Sequence, residues 1–341
     1  MKKTILVTGV AGYWGARVAA QLVTEPEYHV IGLDTEPPTQ TIKELDFVQA
    51  DIRDPALLDL LKSEKVNTVC HLLFDEQIRV SERAFDLNVM GTMKLLGACA
   101  ESEISQIVMK SSMMVYGARY ANSSFLPESH PLKGSRRYGY IRHMTEIEEF
   151  CDGFDKEMPE LGLTRLRFAG IVGPTAITPM TRFLRSQWAP ILLGFDPIMQ
   201  VIHENDVVAA IVHSIVNEIS GVFNIACENT LSLFQMIRLA GKFPMPVLHP
   251  LAYRGASLLG GRKKQFIPLD LDYIRYPWVG ALEKMQNELG FTPKYTAEEV
   301  LREFAHKRNQ GNYHPAFKSL SDEDMDLNDV IEERQYMSTT A

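Results

Sequence analysis

Apolar positions in the first half of the chain alternate between two spacings. Compact runs rich in Val, Ile and Leu at residues 4–8, 29–33, 46–50, 68–73 and 106–110 read as buried strands. Between them, apolar residues recur at helical spacing over 14–23, 55–64 and 85–101. Strand and helix in turn predict βαβ units, and hence an α/β fold built on a Rossmann-type doubly wound parallel sheet. A helix over 138–151 and a strand over 164–169 continue the pattern. It then loosens, because Pro174, Pro179, Pro190 and Pro197 break residues 174–200 into short pieces. A strand over 198–203 and a helix over 205–216 follow, and residues 230–310 mix helices with loops. The expected organisation is a sheet domain over 1–170 that takes back segments from the second half. A smaller C-terminal lobe occupies mainly 171–317, and 318–341 form an acidic, flexible tail.

Composition narrows the class. The 341 residues are 45% hydrophobic and 23% charged, enough for a large core and against a coiled coil or a mainly disordered chain. Of the formal charge of −8, −5 sits in residues 318–341, so the remainder is nearly balanced and no nucleic-acid partner is expected. Cys70, Cys99, Cys151 and Cys227 lie far apart with no CxxC pair, which points to a reduced, cytoplasmic chain. Met1-Lys2-Lys3 before an apolar stretch imitates a signal peptide, but Gly9, Gly12, Gly15 and Arg17 interrupt the run. No stretch approaches the roughly 18 apolar residues of a membrane span. The nine histidines are scattered, so no metal is expected.

The sharpest motif is Thr8-Gly9-Val10-Ala11-Gly12-Tyr13-Trp14-Gly15, which follows a predicted strand and opens a helix. Glycines there allow a tight turn and bring backbone N–H groups to a pyrophosphate at the positive end of a helix. Asp34 ends the second predicted strand, 19 residues past Gly15, where a carboxylate holds the adenosine ribose hydroxyls and repels a 2′-phosphate. No Lys or Arg follows until Lys43. The expected cofactor is therefore NAD rather than NADP.

With further blocks, the chain resembles an extended short-chain dehydrogenase/reductase of the NAD-dependent epimerase/dehydratase family, over residues 3 to 310. Asp51-Ile52 matches the family's adenine-contacting position, and His71-Leu72-Leu73-Phe74 its turn beside the cofactor. Asn88-Val89-Met90-Gly91-Thr92 matches a helix with a structural Asn, and Ser111 to Gly117 (SSMMVYG) the end of the active-site strand. Arg167 to Pro174 (RFAGIVGP), His203 to Val207 (HENDV) and Leu289 to Pro293 (LGFTP) match later blocks. Within the family the chain is most similar to an atypical branch related to UDP-glucose 4-epimerase. The resemblance implies cofactor contacts at Gly9, Gly12, Tyr13, Trp14, Gly15, Asp34, Asp51, Ile52, Leu72, Leu73, Asn88 and Arg142. It also implies a homodimer packed through the helices that carry Asn88 and Tyr138.

The family chemistry is hydride transfer assisted by Ser, Tyr and Lys. A Tyr phenol, with an ordinary pKa of about 10, needs positive charge beside it to act as a base. By resemblance Ser112 takes the Ser position and Tyr138, 26 residues on, the Tyr position. Arg142 then stands one turn later in place of Lys, keeping the charge but unable to lose a proton. Should Tyr138 prove dispensable, Tyr140 or a water is the next proton carrier. Met113 and Met114 replace the Asp-Glu pair of sugar-nucleotide 4,6-dehydratases, which argues against that elimination. By resemblance, Gly170 and Met199 replace an Asn and an Arg with which family members often grip UDP-sugars, leaving Arg182, Arg185 or helix N-termini to meet a diphosphate. The expected function is an NAD-dependent epimerase or oxidoreductase acting at a carbinol carbon of a sugar-nucleotide-like or other small substrate. The alternative is an NAD-binding regulatory or scaffold protein in which Tyr138, Tyr140 and Arg142 are ordinary helix residues.

Overall fold

The computed structural model describes residues 2–77, 80–248 and 270–308. The acidic tail therefore lies outside the described residues. The predicted alternation appears as β1 (Lys3–Thr8), α1 (Tyr13–Leu22), β2 (Tyr28–Asp34), β3 (Asp46–Gln49), α2 (Leu57–Ser63) and β4 (Thr68–His71). There follow α3 (Glu82–Phe85), a π-type turn (Asp86–Met90), α4 (Gly91–Ala100), β5 (Gln106–Ser112), α5 (Gly139–Glu157) and β6 (Gly162–Phe168). The turn divides the helix predicted over 85–101, and α5 runs past its predicted end.

The second half holds β7 (Gly170–Val172), α6 (Pro179–Phe183), β8 (Trp188–Leu192), β9 (Ile198–Met199) and β10 (Val201–His203). Then come α7 (Glu204–Val216), β11 (Gly221–Ile225), β12 (Leu231–Ser232), α8 (Leu233–Leu239) and β13 (Phe243–Val247), with helices Glu283–Asn287 and Ala297–Arg308 after them. The strand predicted over 198–203 divides at Gln200, whose side chain leaves the strand pattern to bond both polar groups of the Gly280 backbone at 2.8 and 3.2 Å. β11 was not among the expected strands. It returns from the second half to pair with β6.

Seven strands form one parallel sheet in the order β11-β6-β5-β4-β1-β2-β3. The chain winds outward from β1 to β3, then restarts at β4 on the other side of β1 and winds outward again. Along β1 the side chains alternate faces: Ile5 and Val7 join one apolar cluster with α1 and α7, while Leu6 joins a second with α2, α4 and α5. Both faces are covered, which is why these strands read as nearly continuous apolar runs. Thr8, Asp34, His71, Ser112 and Phe168 all lie at the strands' carboxyl ends. Ligands of open α/β sheets bind at that edge, where the winding reverses. No helix among the described residues is long and apolar enough to cross a membrane.

Candidate active site

The glycine loop leaves β1 at the reversal point. Gly9 has φ +79°, and a Cβ on it would lie 2.9 Å from the Leu73 backbone. A Cβ on Gly15 would stand 2.1 Å from the Gly9 carbonyl oxygen, so the first turn of α1 can sit this low only without a side chain. No side chain caps α1 and its first turn carries no acid, which leaves its amides and positive dipole end to a ligand's anion. Asp34 stands beside this loop, 3% exposed, its carboxylate accepting from the Ala11 amide at 2.9 Å and the Thr35 amide at 2.8 Å. Burial pushes its pKa up against hydrogen bonds from the Ala11, Glu36 and Thr35 backbone that pull it down, and the Glu36 charge adds slightly to the rise. A buried carboxylate in this state gains from further donors, which ribose hydroxyls supply and a 2′-phosphate does not.

Other residues expected at the cofactor do structural work. Arg53 grips Asp51 through Nε at 2.9 and 3.1 Å and, despite the opposing effect of burial, holds its carboxyl below the usual carboxylate range. Asn88 is buried; its amide accepts from the Asp75 backbone at 2.8 Å, donates back at 2.9 Å and meets His143 at 3.3 Å, fixing the loop after β4. The Leu72 amide donates to Thr8 Oγ1 at 3.2 Å, and Leu73 backs Gly9. Ile52 is wholly buried in the second apolar cluster. His71 bridges Thr8 at 2.8 Å and Thr92 at 2.9 Å, and burial lowers its pKa to about 3, so it is neutral. Tyr13 bonds Thr175 at 2.7 Å, and Trp14 packs edge-on against Tyr13 at 4.8 Å.

Ser112 ends β5 at a small cavity of about 30 Å³, room for about one water-sized group. Its Oγ accepts from the Met114 amide at 3.2 Å, which leaves its proton to donate. Lys110, Tyr140, Glu76, Met114, Met180 and Trp278 share the cavity wall. Lys110 is 2% exposed, and its ammonium donates to Glu76 at 2.6 Å and to the Tyr140 hydroxyl at 3.2 Å. It also lies 5.7 Å from the centre of the Trp14 ring. Burial opposes its charge, but Glu76 and Tyr140 more than offset this and hold Lys110 above the ordinary lysine range.

Tyr138 and Arg142 do not line this cavity. Tyr138 is the N-cap of α5, and burial, with Asp270 adding to it, raises its pKa beyond the ordinary phenol range. Arg142 pairs with Glu146 at 2.9 Å, with 42% of its side chain exposed, and lines a separate, open cavity of about 900 Å³. The larger cavity is therefore not the one that holds Ser112. The structure instead brings Ser112 together with Tyr140 and with Lys110 and Glu76, which sequence analysis missed. One signal was present in the sequence: Lys110 is the one charge in its strand and directly follows the apolar run Ile107–Met109, and a charge buried there requires a partner.

α5 is set against the sheet by Glu148, which is fully buried. It receives Arg167 at 2.7 and 3.0 Å, Arg165 at 3.0 Å and the Ser111 hydroxyl. The Tyr140 amide bonds the Gln77 carbonyl at 3.2 Å. These contacts fix which side of α5 faces β5. No group of three or more His, Cys, Asp or Glu among the described residues is arranged to hold a metal.

Comparison with known proteins decides the family. The profile of the NAD dependent epimerase/dehydratase family matches residues 5–226, from β1 through β11. The chain belongs to this family. Its cofactor is NAD, and the glycine cradle with Asp34 fits that group. An uncharacterized protein of Mycobacterium tuberculosis is 29% identical over 314 residues, covering 89% of this chain and 83% of its own length. Among solved structures, a dTDP-glucose 4,6-dehydratase from Bacillus anthracis in complex with NAD matches with a TM-score of 0.68 at 21% identity, over 90% of this chain and 97% of its own. A Thermotoga maritima UDP-glucose 4-epimerase with UDP-glucose matches with a TM-score of 0.65 at 22% identity, over 90% and 99%. At these identities the structures share the fold with this family member.

Proposed function

We propose that the chain is an NAD-dependent epimerase or dehydrogenase that acts at a carbinol carbon of a sugar-nucleotide-like or other small hydroxylated substrate. The observation that carries this reading is the Ser112 cavity, opening at the same carboxyl edge of the sheet as the glycine cradle and Asp34. NAD, when bound, supplies the hydride acceptor and donor. Gly9, Gly12 and the first turn of α1 hold its pyrophosphate, and Asp34 its adenosine ribose. The Ser112 hydroxyl donates to the substrate oxygen, and Met114, Met180 and Trp278 keep bulk water from it.

Reversible hydride transfer is favoured over 4,6-dehydration. Elimination of water needs a proton donor and a base besides the hydride machinery. Met113 and Met114 are buried thioethers, and the one carboxylate among the described residues of the cavity wall, Glu76, is bound to Lys110. Nucleotide recognition also departs from the resemblance. A Cβ on Gly170 would sit 2.8 Å from the Met180 methyl and 3.2 Å from the Gln200 carbonyl, so an Asn there would require Met180 to move aside. Met199 is 2% exposed and apolar. Phosphate recognition therefore falls to Arg182, Arg185 or helix ends, and UDP- and dTDP-sugars head a panel that includes simpler alcohols.

The test is titration calorimetry with NAD and NADP, followed by fluorescence of reduced nicotinamide and product analysis over that panel. The expected result is NAD binding, cofactor reduction by one substrate class, and loss of reduction in Ser112→Ala at unchanged NAD affinity. NAD binding without reduction by any substrate would favour the non-catalytic alternative.

A further inference from the structure

We propose that Tyr140 carries the proton in this reaction and that Lys110, on the interior strand β5, is its charged partner. A sheet residue thus replaces the helix-borne cation expected one turn after the tyrosine. The inference rests on the hydride-transfer reading above and reassigns its proton carrier from Tyr138 and Arg142.

Four observations converge. Tyr140 and Ser112 line one cavity, whereas neither Tyr138 nor Arg142 does. The Lys110 ammonium is 3.2 Å from the Tyr140 hydroxyl, and Glu76 at 2.6 Å keeps it charged although Lys110 itself is 2% exposed. The residue one turn beyond Tyr140 is Met144, fully buried among apolar side chains, so α5 itself offers no cation there. Arg142 lies two residues from Tyr140, a spacing that puts side chains on different faces of a helix, and it is committed to Glu146.

The chemistry follows from this placement. In the oxidative direction the carbinol O–H proton passes to the Tyr140 phenolate while the C–H electron pair leaves with the hydride to NAD. In the reductive direction the phenol returns the proton to the carbonyl oxygen as hydride arrives. Burial pushes the Tyr140 phenol up to about 12 even with Lys110 pulling it down, so removing Lys110 strands the phenol still further from neutrality. Tyr140 is the catalytic residue in this scheme; Lys110 is a positioning residue acting through it, and Glu76 holds Lys110.

The test uses the full chain with 15N-labelled lysine. The Lys110 ammonium resonance, assigned by its disappearance in Lys110→Met, is expected to shift in Tyr140→Phe and to stay in place in Tyr138→Phe, with no substrate needed. On the substrate found by the cofactor assay, Tyr140→Phe should lower kcat by at least about 100-fold, the lower end of general acid–base contributions. Tyr138→Phe and Arg142→Ala should stay within about threefold, on the same reasoning that only the proton carrier bears this loss. Lys110→Met should move the tyrosine limb of the pH–kcat profile upward by at least about one unit, the scale of a close charge. If that variant fails to fold, Lys110→Met with Glu76→Gln removes both charges together. Near-wild-type turnover in Tyr140→Phe, or a Lys110 resonance that moves with Tyr138 and not with Tyr140, overturns the proposal. A wild-type chain that binds NAD but oxidises no alcohol overturns the hydride-transfer reading instead, and the ammonium resonance still decides the Tyr140–Lys110 pairing.

Discussion

Replacing Glu148 by Gln removes one negative charge from a site with no solvent. Glu148 is fully buried, and its two oxygens receive Nε and Nη2 of Arg167 at 3.0 and 2.7 Å and Nη1 of Arg165 at 3.0 Å. The two arginines are not equally exposed to the loss. Arg165 keeps Asp152 at 2.7 Å and Asp155 at 2.8 Å. Arg167 keeps only neutral partners, the Tyr116 hydroxyl at 2.9 Å and the Glu128 carbonyl at 2.8 Å. The substitution therefore strands one buried guanidinium, and the Gln amide turns a donor toward it. Breaking a buried pair from one side costs about 3–5 kcal/mol. At about 2 °C per kcal/mol for a large chain, thermal unfolding followed by circular dichroism should show a drop of about 6–10 °C. Glu148→Leu with Arg167→Met should recover most of it, because removing both charges also removes their desolvation cost. A drop of less than about 2 °C in Glu148→Gln would refute the claim that this cluster pins α5 to the sheet, since even one stranded charge costs more than that.

Three further outcomes are expected. Glu148 has its pKa held down in the folded chain by Arg167 and Arg165, against burial, so its contribution is present above the ordinary carboxylate value and is lost as pH falls from there through the lowered folded value; denaturation midpoints below the ordinary carboxylate value should fall less steeply in Glu148→Gln than in wild type. Asp34→Asn keeps the loop hydrogen bonds largely intact but removes the charge, and calorimetry should show the preference for NAD over NADP reduced by about tenfold or more, a loss of the order of one charge-assisted hydrogen bond. Gly15→Ala puts a methyl 2.1 Å from the Gly9 oxygen, so the loop must move and NAD binding should be lost in calorimetry.

The doubly wound sheet was legible because each buried parallel strand is a short apolar run and each crossover helix carries its own period. The places of the glycine loop after β1 and of Asp34 at the end of β2 were legible for a related reason: their spacing is local. β11 was missed, since GVFNI is short and pairs with β6, more than fifty positions earlier in the chain. The site cluster was harder still. Tyr138 and Tyr140 are two positions apart, and choosing between them requires the rotation of α5, which Glu148 sets through residues on β5 and β6. Lys110 gave a signal as the one charge in its strand, next to the apolar run Ile107–Met109, but its partner Glu76 lies 34 residues back, in the loop after β4. No pattern along the chain joins them; the crossover through α3 and α4 does.

Hydride transfer itself is tested most directly by isotope. The chain is loaded with NAD and given the substrate found by the cofactor assay, deuterated at the carbinol carbon. The mixture is then quenched in acid, and the released cofactor is analysed by mass spectrometry. One deuterium is expected on the nicotinamide ring, in an amount that Ser112→Ala and Tyr140→Phe strongly reduce at unchanged NAD occupancy. Product formed with no deuterium ever reaching the cofactor would contradict hydride transfer.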